Sequence, residues 1–300
     1  LGADLVGFHT EQYAGDFLGC CSRLLGARVD HARQVVEWQG REVRVGAFPI
    51  GIEVDEFSAQ ATSATTREKV ARIRQGLGAA QLVLGVDRLD YSKGILERLR
   101  AVDALLERHP ELRRKIVFLQ IAVPSRTQVQ EYRDLKREID EMVGRVNGRH
   151  GAADWTPVRY LYRSIPRPDL VSYYRAADVC LVNPLRDGMN LVAMEYVACQ
   201  AGKVADRLKD GVLVLSELTG AASVLGDGPL LINPFAIQET AEALERALAM
   251  DEGERRTRME KLLASVRAHD VHGWLERILS AAMQSEKRRG AGARRHDPLH

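Results

Sequence analysis

The sequence has no excess of charge of either sign. Its formal net charge is +2 over 300 residues, so no global field draws the chain to nucleic acid or to an anionic membrane. Any anion chemistry has to come from local clusters. No apolar run approaches the roughly 18 residues of a membrane span, and neither nucleic acid nor a membrane is an expected partner. The four cysteines, Cys20, Cys21, Cys180 and Cys199, lack metal spacing. Cys180, in "ADVCLVNP", reads as a small buried apolar residue, so no disulfides and a reducing, cytoplasmic setting are expected. There is no HExxH, no paired cysteine, no GxGxxG and no P-loop, which leaves metal, nicotinamide and ATP-hydrolysis chemistry without support. None of the eight histidines falls where a strand ends.

What is present is a rhythm. The chain opens on "LGADLVGFHTEQ", in mid-pattern, as the end of a buried strand or helix. The expectation is a fragment whose N-terminal part is missing. Thr10 and Glu11 supply N-cap and first-turn chemistry for a helix running to about residue 28, with Tyr13, Phe17, Leu18, Leu24 and Leu25 as its apolar face. "WQGREVRVGAF" reads as a hairpin turning at Gln39-Gly40. "SAQATSATT", residues 58 to 66, is a small polar stretch, a linker or the entry to a helix.

Beyond it, near-continuous apolar runs of four to nine residues alternate with helical segments of ten to twenty. Strands are expected at 81–86, 115–123, 158–163, 179–184, 211–217 and 229–234. Helices at 95–110, 127–148, 168–177, 189–200 and 236–250 separate most of them. Strands apolar on both faces, each followed by a helix, predict an α/β fold with a doubly wound parallel sheet. Residues 252–283 are expected to be helical, and the basic stretch 284–300 to be a disordered solvated tail.

In such sheets ligands bind at the carboxyl ends of the strands, so the residues just after each strand matter most. After the first come Asp87, Arg88, Asp90, Lys93 and Gly94, in "VDRLDYSKG". Arg88, Lys93 and a helix N-terminus together suit a diphosphate; the plainer alternative pairs Arg88 with Asp90 and leaves Lys93 solvated. After the second come Ser125 and Thr127, either able to cap the next helix, and Arg126, which either holds a phosphate there or is simply exposed. After the fourth, Asp187-Gly188 is the sharpest turn signal in the chain. A helix opening directly behind it would present the N–H groups of Met189, Asn190 and Leu191 to a phosphate. Asp187 and Glu195, about 12 Å apart along a helix, could accept bonds from sugar hydroxyls at the two ends of a nucleotide sugar. Asp187 as an ordinary N-cap and Glu195 as a surface residue remain the alternatives.

The stretches "VDRLDYSKGILERL", "GRVNGRHG", "WTPVRYL", "DVCLVNPLRDGMNLVAMEYVACQ" and "GVLVLSELTGAA" resemble the trehalose-6-phosphate synthases. These are retaining GT-B glycosyltransferases of glycosyltransferase family 20. The resemblance covers residues 3 to 280. It implies transfer of glucose from UDP-glucose, or another NDP-glucose, to glucose 6-phosphate, giving α,α-trehalose 6-phosphate with retention. By resemblance, Arg88 and Lys93 bind the donor diphosphate and stabilise the leaving group. Asp187 takes glucose hydroxyls, the backbone from Gly188 to Leu191 assists the phosphates, and Glu195 takes the ribose. Backbone at Ser164 and Ile165 meets the base, and Arg126 reaches the acceptor phosphate. No metal or other cofactor is expected, nor any protein nucleophile.

Met194 stands where the family usually has Lys. The implied domains are an N-terminal remnant at 1–57, a nucleotide-sugar-binding Rossmann domain at 58–250, and helices at 251–283 that cross back to the N-terminal domain. As a donor half-site, the 300-residue chain is expected to bind UDP-glucose weakly without turnover. Two other readings stay open: a glucosylglycerol-phosphate synthase, and a non-catalytic subunit of a trehalose-synthesis complex. Self-association stays open too.

Overall fold

The computed structural model describes residues 1–202 and 208–293 of the chain, with side chains to Ser285. The chain forms two compact units. One is Leu1–Gly51 together with the segment from Ala268 on, and the other is Ile52–Arg267.

The first unit holds β1 (Leu5–Phe8), α1 (Glu11–Leu25), β2 (Arg28–Asp30), β3 (Val35–Trp38) and β4 (Arg41–Ala47). Residues 5–8 of the opening stretch are therefore a strand, but a half-exposed one and not the buried element expected. β1 pairs parallel with β4, and β4, β3 and β2 follow as an antiparallel meander. The β3–β4 hairpin turns at Gln39 and Gly40, both at positive φ (51° and 77°), the pattern of a tight two-residue turn that follows strand twist. Thr10 caps α1 by accepting the Tyr13 N–H at 3.2 Å, and Gly26 ends it in the left-handed conformation, φ 63°. Its buried stripe is Ala14, Leu18 and Cys21, spaced four and three apart. Leu24 and Leu25, expected on that face, are exposed.

The second unit begins with α2 (Val54–Ala61) and α3 (Ala64–Leu77). The polar stretch 58–66 is thus not a linker. Phe57 and Ala61 anchor α2 in the core, and Ser63 caps α3 by accepting the Thr66 N–H. The boundary between units accordingly falls at 51/52 where the sequence suggested 57/58. Then come β5 (Gln81–Arg88), α4 (Ile95–Arg108), β6 (Ile116–Val123), α5 (Gln130–His150), β7 (Val158–Tyr162), α6 (Arg167–Ala176), β8 (Val179–Val182) and α7 (Leu191–Ala198). β9 (Val212–Ser216), α8 (Gly220–Leu225), β10 (Leu230–Ile232), α9 (Ile237–Ala249) and α10 (Glu252–Ala268) complete the unit.

All six strands of this sheet run parallel, in the order β10-β9-β8-β5-β6-β7. Both faces of β5 are buried: Leu82, Val83 and Leu84 are at most 1% exposed. α4 lays Ile95, Leu99, Val102, Leu105 and Leu106 on the sheet, as its periodicity predicts. The chain starts in the middle at β5, runs outward through β6 and β7, then returns to place β8 on the other side of β5. The order therefore reverses between β5 and β8, and ligands in such sheets bind outside the carboxyl ends of that pair.

α10 belongs to this unit because its buried face includes Arg255, Met259, Leu262 and Val266. Arg255 donates to the carbonyls of Ala247, Met250 and Asp178. The end expected at residue 250 lies one helix too early. α11 (Val271–Ala293) runs through what the sequence suggested was the start of a disordered tail; residues 294–300 of that stretch lie outside the described residues. Among the described residues, no helix is long and apolar enough to cross a membrane.

Candidate functional site

At the reversal point the loops after β5 and β8 meet. β5 ends at Arg88. Leu89 turns into the core, 1% exposed, while its N–H donates to the Val123 carbonyl at 2.8 Å. Asp90 then caps a 3-10 turn at Tyr91–Lys93, accepting from the Ser92 N–H at 2.9 Å and the Ser92 hydroxyl at 2.8 Å. Gly94 leads into α4 at φ 64°. A Cβ there would lie 2.3 Å from the Asn183 carbonyl oxygen, so the close approach of the two loops requires glycine. They are also bonded: Leu185 N–H donates to the Ser92 carbonyl at 2.8 Å, and the Asn183 amide donates to the Gly94 carbonyl at 3.1 Å.

Across this junction Lys93 Nζ lies 2.6 Å from Asp187 Oδ2, both side chains 15% exposed. Asn190 Nδ2 donates to the same oxygen at 3.1 Å. Oδ1 of Asp187 has no partner among the described residues. A third loop braces the carboxylate's backbone: Asp187 N–H donates to the Leu218 carbonyl, and Gly220 N–H donates to the Asp187 carbonyl. Arg88 is exposed, and its guanidinium makes no hydrogen bond or ion pair among the described residues. The Arg88–Asp90 pair considered on the sequence is not formed.

The helix behind Asp187-Gly188 opens later than its turn signal suggested. α7 starts at Leu191, capped by Asn190, whose Oδ1 accepts the Ala193 N–H at 3.1 Å. Gly188 and Met189 precede the helix, and the unpaired first-turn donors belong to Leu191 and Val192. Asp187 is not the cap, because its carboxylate is taken by Lys93. Glu195 lies one turn in and accepts the Tyr174 hydroxyl at 2.9 Å. Burial pushes its carboxyl above the ordinary range, against the pull of that hydrogen bond and of Arg167. Met194, which stands where the family usually has Lys, is fully buried; the position faces the core.

Arg126, after β6, is exposed and left-handed at φ 45°. Its Nη1 donates to the Tyr132 hydroxyl at 3.1 Å. α5 starts at Gln130 behind Val129, without a side-chain cap, so neither Ser125 nor Thr127 plays the part suggested for it. Ser164 and Ile165, after β7, line a cavity of about 430 Å³ with Lys69, Ile73, Asp169 and Tyr173. Arg88, Lys93, Asp187 and Glu195 do not line it. The structure thus brings together Lys93, Asp187, Gly188, Asn190 and Leu191, and places Arg126, Ser164 and Ile165 on the neighbouring strand ends.

Beneath the junction lies a group that strand-end reasoning missed. Arg98, fully buried, donates from Nη2 to Asp87 Oδ2 at 2.7 Å, from Nε to Asn183 Oδ1 at 2.6 Å and from Nη1 to Gln120 Oε1 at 3.0 Å. Asp87 therefore serves Arg98 and makes no hydrogen bond or ion pair with the ligand-side cations among the described residues. Gly85 leaves the room: a Cβ there would stand 2.5 Å from Arg98 Nη1. The sequence carried one signal, a cation at position 98 between Ile95, Leu99 and Val102 on the apolar face of α4. Among the described residues, no group of three or more His, Cys, Asp or Glu is arranged to hold a metal ion.

The strand order and the switch-point cluster define a Rossmann-like domain of the doubly wound class. The model of glycosyltransferase family 20 matches residues 1–284, and the chain belongs to that family. A bifunctional trehalose-6-phosphate synthase/phosphatase of Thermoproteus tenax is 46% identical over 91% of the chain, which spans 36% of that protein. A structure described as trehalose-6-phosphate from E. coli bound with UDP-2-fluoro glucose aligns at TM-score 0.87 and 41% identity, over 94% of this chain and 61% of that one. An alpha,alpha-trehalose-phosphate synthase (UDP-forming) from Burkholderia xenovorans, in complex with glucose-6-phosphate, aligns at TM-score 0.88 and 38% identity, over 93% and 60%. The fold is of the GT-B type, and the chain spans between 36% and 61% of the length of these relatives.

Proposed function

We propose that the chain supplies the donor-binding half of a retaining glucosyltransferase that moves glucose from UDP-glucose, or another NDP-glucose, to glucose 6-phosphate, forming α,α-trehalose 6-phosphate. The observation that carries this reading is the Lys93–Asp187 contact at the switch point, with Arg88 exposed and unpartnered at the end of the same strand. Arg88 and Lys93 hold the diphosphate and take up the charge that develops on it as it leaves. The N–H groups of Leu191 and Val192 add to that field at the positive end of α7. Asp187, held by Lys93 and Asn190 through Oδ2, keeps Oδ1 for the hydroxyls of the donor glucose. Glu195 accepts the ribose hydroxyls, Ser164 and Ile165 meet the base, and Arg126 meets the acceptor phosphate.

In the reaction the bond from the glucose anomeric carbon to the diphosphate oxygen breaks. A bond to the anomeric oxygen of glucose 6-phosphate forms on the same face, and the hydroxyl proton passes to the departing diphosphate. No side chain is needed as nucleophile. No metal is needed either, since two cations and a helix end supply the positive charge.

Titration calorimetry with UDP-glucose tests the site. The wild-type chain binds, and Arg88→Ala and Lys93→Ala each weaken binding by at least about tenfold, the scale of a lost charge-assisted contact. Unchanged affinity in both variants sinks the reading.

A further inference from the structure

Tyr132 ties the Arg126 arm to the donor loop. It lies on α5, 3% exposed, and its hydroxyl donates to Asp90 Oδ2 at 2.9 Å. A carboxylate only accepts, so the phenol proton points at Asp90, and the phenol lone pair faces Arg126 Nη1 at 3.1 Å. The Arg126 guanidinium also stands 5.5 Å from the centre of the Tyr132 ring. Burial draws Asp90 upward, but donors from Ser92 and Tyr132 outweigh it and hold the carboxyl below its ordinary range, so this acceptor stays charged at neutral pH. The other oxygen of Asp90 holds Ser92, and the Ser92 carbonyl holds Leu185 of the loop that carries Asp187. A continuous set of bonds thus runs from Arg126 after β6, through α5 and the loop after β5, to the loop after β8.

We propose that Tyr132 is a positioning residue that sets the preference for a phosphorylated acceptor. By engaging Nη1 it fixes one edge of the Arg126 fork. The remaining donors, Nη2 and Nε, have no hydrogen-bond partner among the described residues, and Arg126 is exposed, which leaves them as a pair for phosphate oxygens. This rests on the functional reading above, in which Arg126 meets the acceptor phosphate. An arginine at an exposed, left-handed position loses more freedom on binding when nothing holds its fork, so the tyrosine contributes to phosphate recognition without touching substrate.

The test is Tyr132→Phe in the full-length protein, with UDP-glucose saturating and either glucose 6-phosphate or glucose as acceptor. Loss of one hydrogen bond to a charged group lowers kcat/KM for glucose 6-phosphate about tenfold, through KM. The value for glucose stays within about twofold, and inorganic phosphate weakens in parallel as a competitor of the phosphorylated acceptor. Arg126→Ala has the larger effect, and Arg126→Ala/Tyr132→Phe is no worse than Arg126→Ala alone, because the tyrosine acts through the arginine. An equal loss with both acceptors, an unchanged preference, or additive effects in the double variant overturns the proposal. A wild-type protein that transfers no glucose overturns the functional reading and this inference together. An active wild type in which Tyr132→Phe keeps its phosphate preference overturns the inference alone.

Discussion

The floor and the mouth of the crevice each hold an ion pair, and both begin in the stretch from Asp87 to Arg98. Arg98–Asp87 is 2.7 Å long and Lys93–Asp187 is 2.6 Å. At the floor the side chains are 0% and 3% exposed; at the mouth both are 15% exposed. The arginine makes bonds to three side chains through Nε, Nη1 and Nη2, which is what a buried charge needs to offset its desolvation. The lysine is a point charge with one carboxylate, and that carboxylate keeps an oxygen unused. A closed network ties β5, β6 and β8 into one rigid base, while an open one remains available to a ligand. Distance alone does not tell the two apart; burial and the number of spare donors and acceptors do.

The comparison breaks most visibly at the floor. Arg98→Met leaves Asp87 buried and uncompensated, a change that costs about 3–5 kcal/mol in comparable cases. Urea unfolding of the second unit's transition reads it. Adding Asp87→Leu recovers a large part of the loss, since removing both partners leaves no orphaned charge. A loss below about 1 kcal/mol for Arg98→Met would mean that the floor pair is no more structural than the mouth pair. At the mouth, Lys93→Met leaves Asp187 bonded to Asn190 and partly in water, so stability falls by about 1 kcal/mol or less. A loss as large as that of Arg98→Met contradicts the distinction.

Much of this is legible in the sequence. An apolar run such as "QLVLG" between two helix-period segments predicts a buried parallel strand, and the charges after it then fall at its carboxyl end. The same logic put Arg88 and Lys93 at the carboxyl end of β5 and Asp187 after β8, where the structure has them. What it could not give were pairings set by contacts distant in sequence. The sequence offers Asp90 as a partner for Arg88, which the structure leaves unpaired, and nothing in the loop itself points Asp87 to Arg98, one helical turn into α4. The start of α7 was drawn at Met189, because Asp187-Gly188 is a strong local turn signal. Lys93 takes the carboxylate and residues 218–220 take the backbone, so the cap falls to Asn190. The stretch 58–66 reads as a linker or the entry to a helix because small polar residues signal turns, and the structure takes the second reading. Phe57 and Ala61 bury enough, and Ser63 caps well enough, for tertiary packing to override composition.

Glu195 offers the smallest effect and the sharpest one, because stability and binding should move in opposite directions. Burial raises its carboxyl above the usual range, so the folded state disfavours its charged form. For a carboxyl raised in this way the folded state binds the proton more tightly. The cost of the buried charge is therefore fully present above the folded value, and it disappears as pH falls below the unfolded value of about 4.3. Glu195→Gln removes that cost while keeping an acceptor for the Tyr174 hydroxyl, which now donates to the carboxylate at 2.9 Å. The variant should melt at or above the wild-type temperature at pH 7, with the difference shrinking toward pH 4. Its affinity for UDP-glucose should fall, because an amide is a poorer acceptor for two ribose hydroxyls than a carboxylate. A variant that is both less stable at pH 7 and unchanged in binding would place Glu195 with the floor of the crevice and not with its mouth.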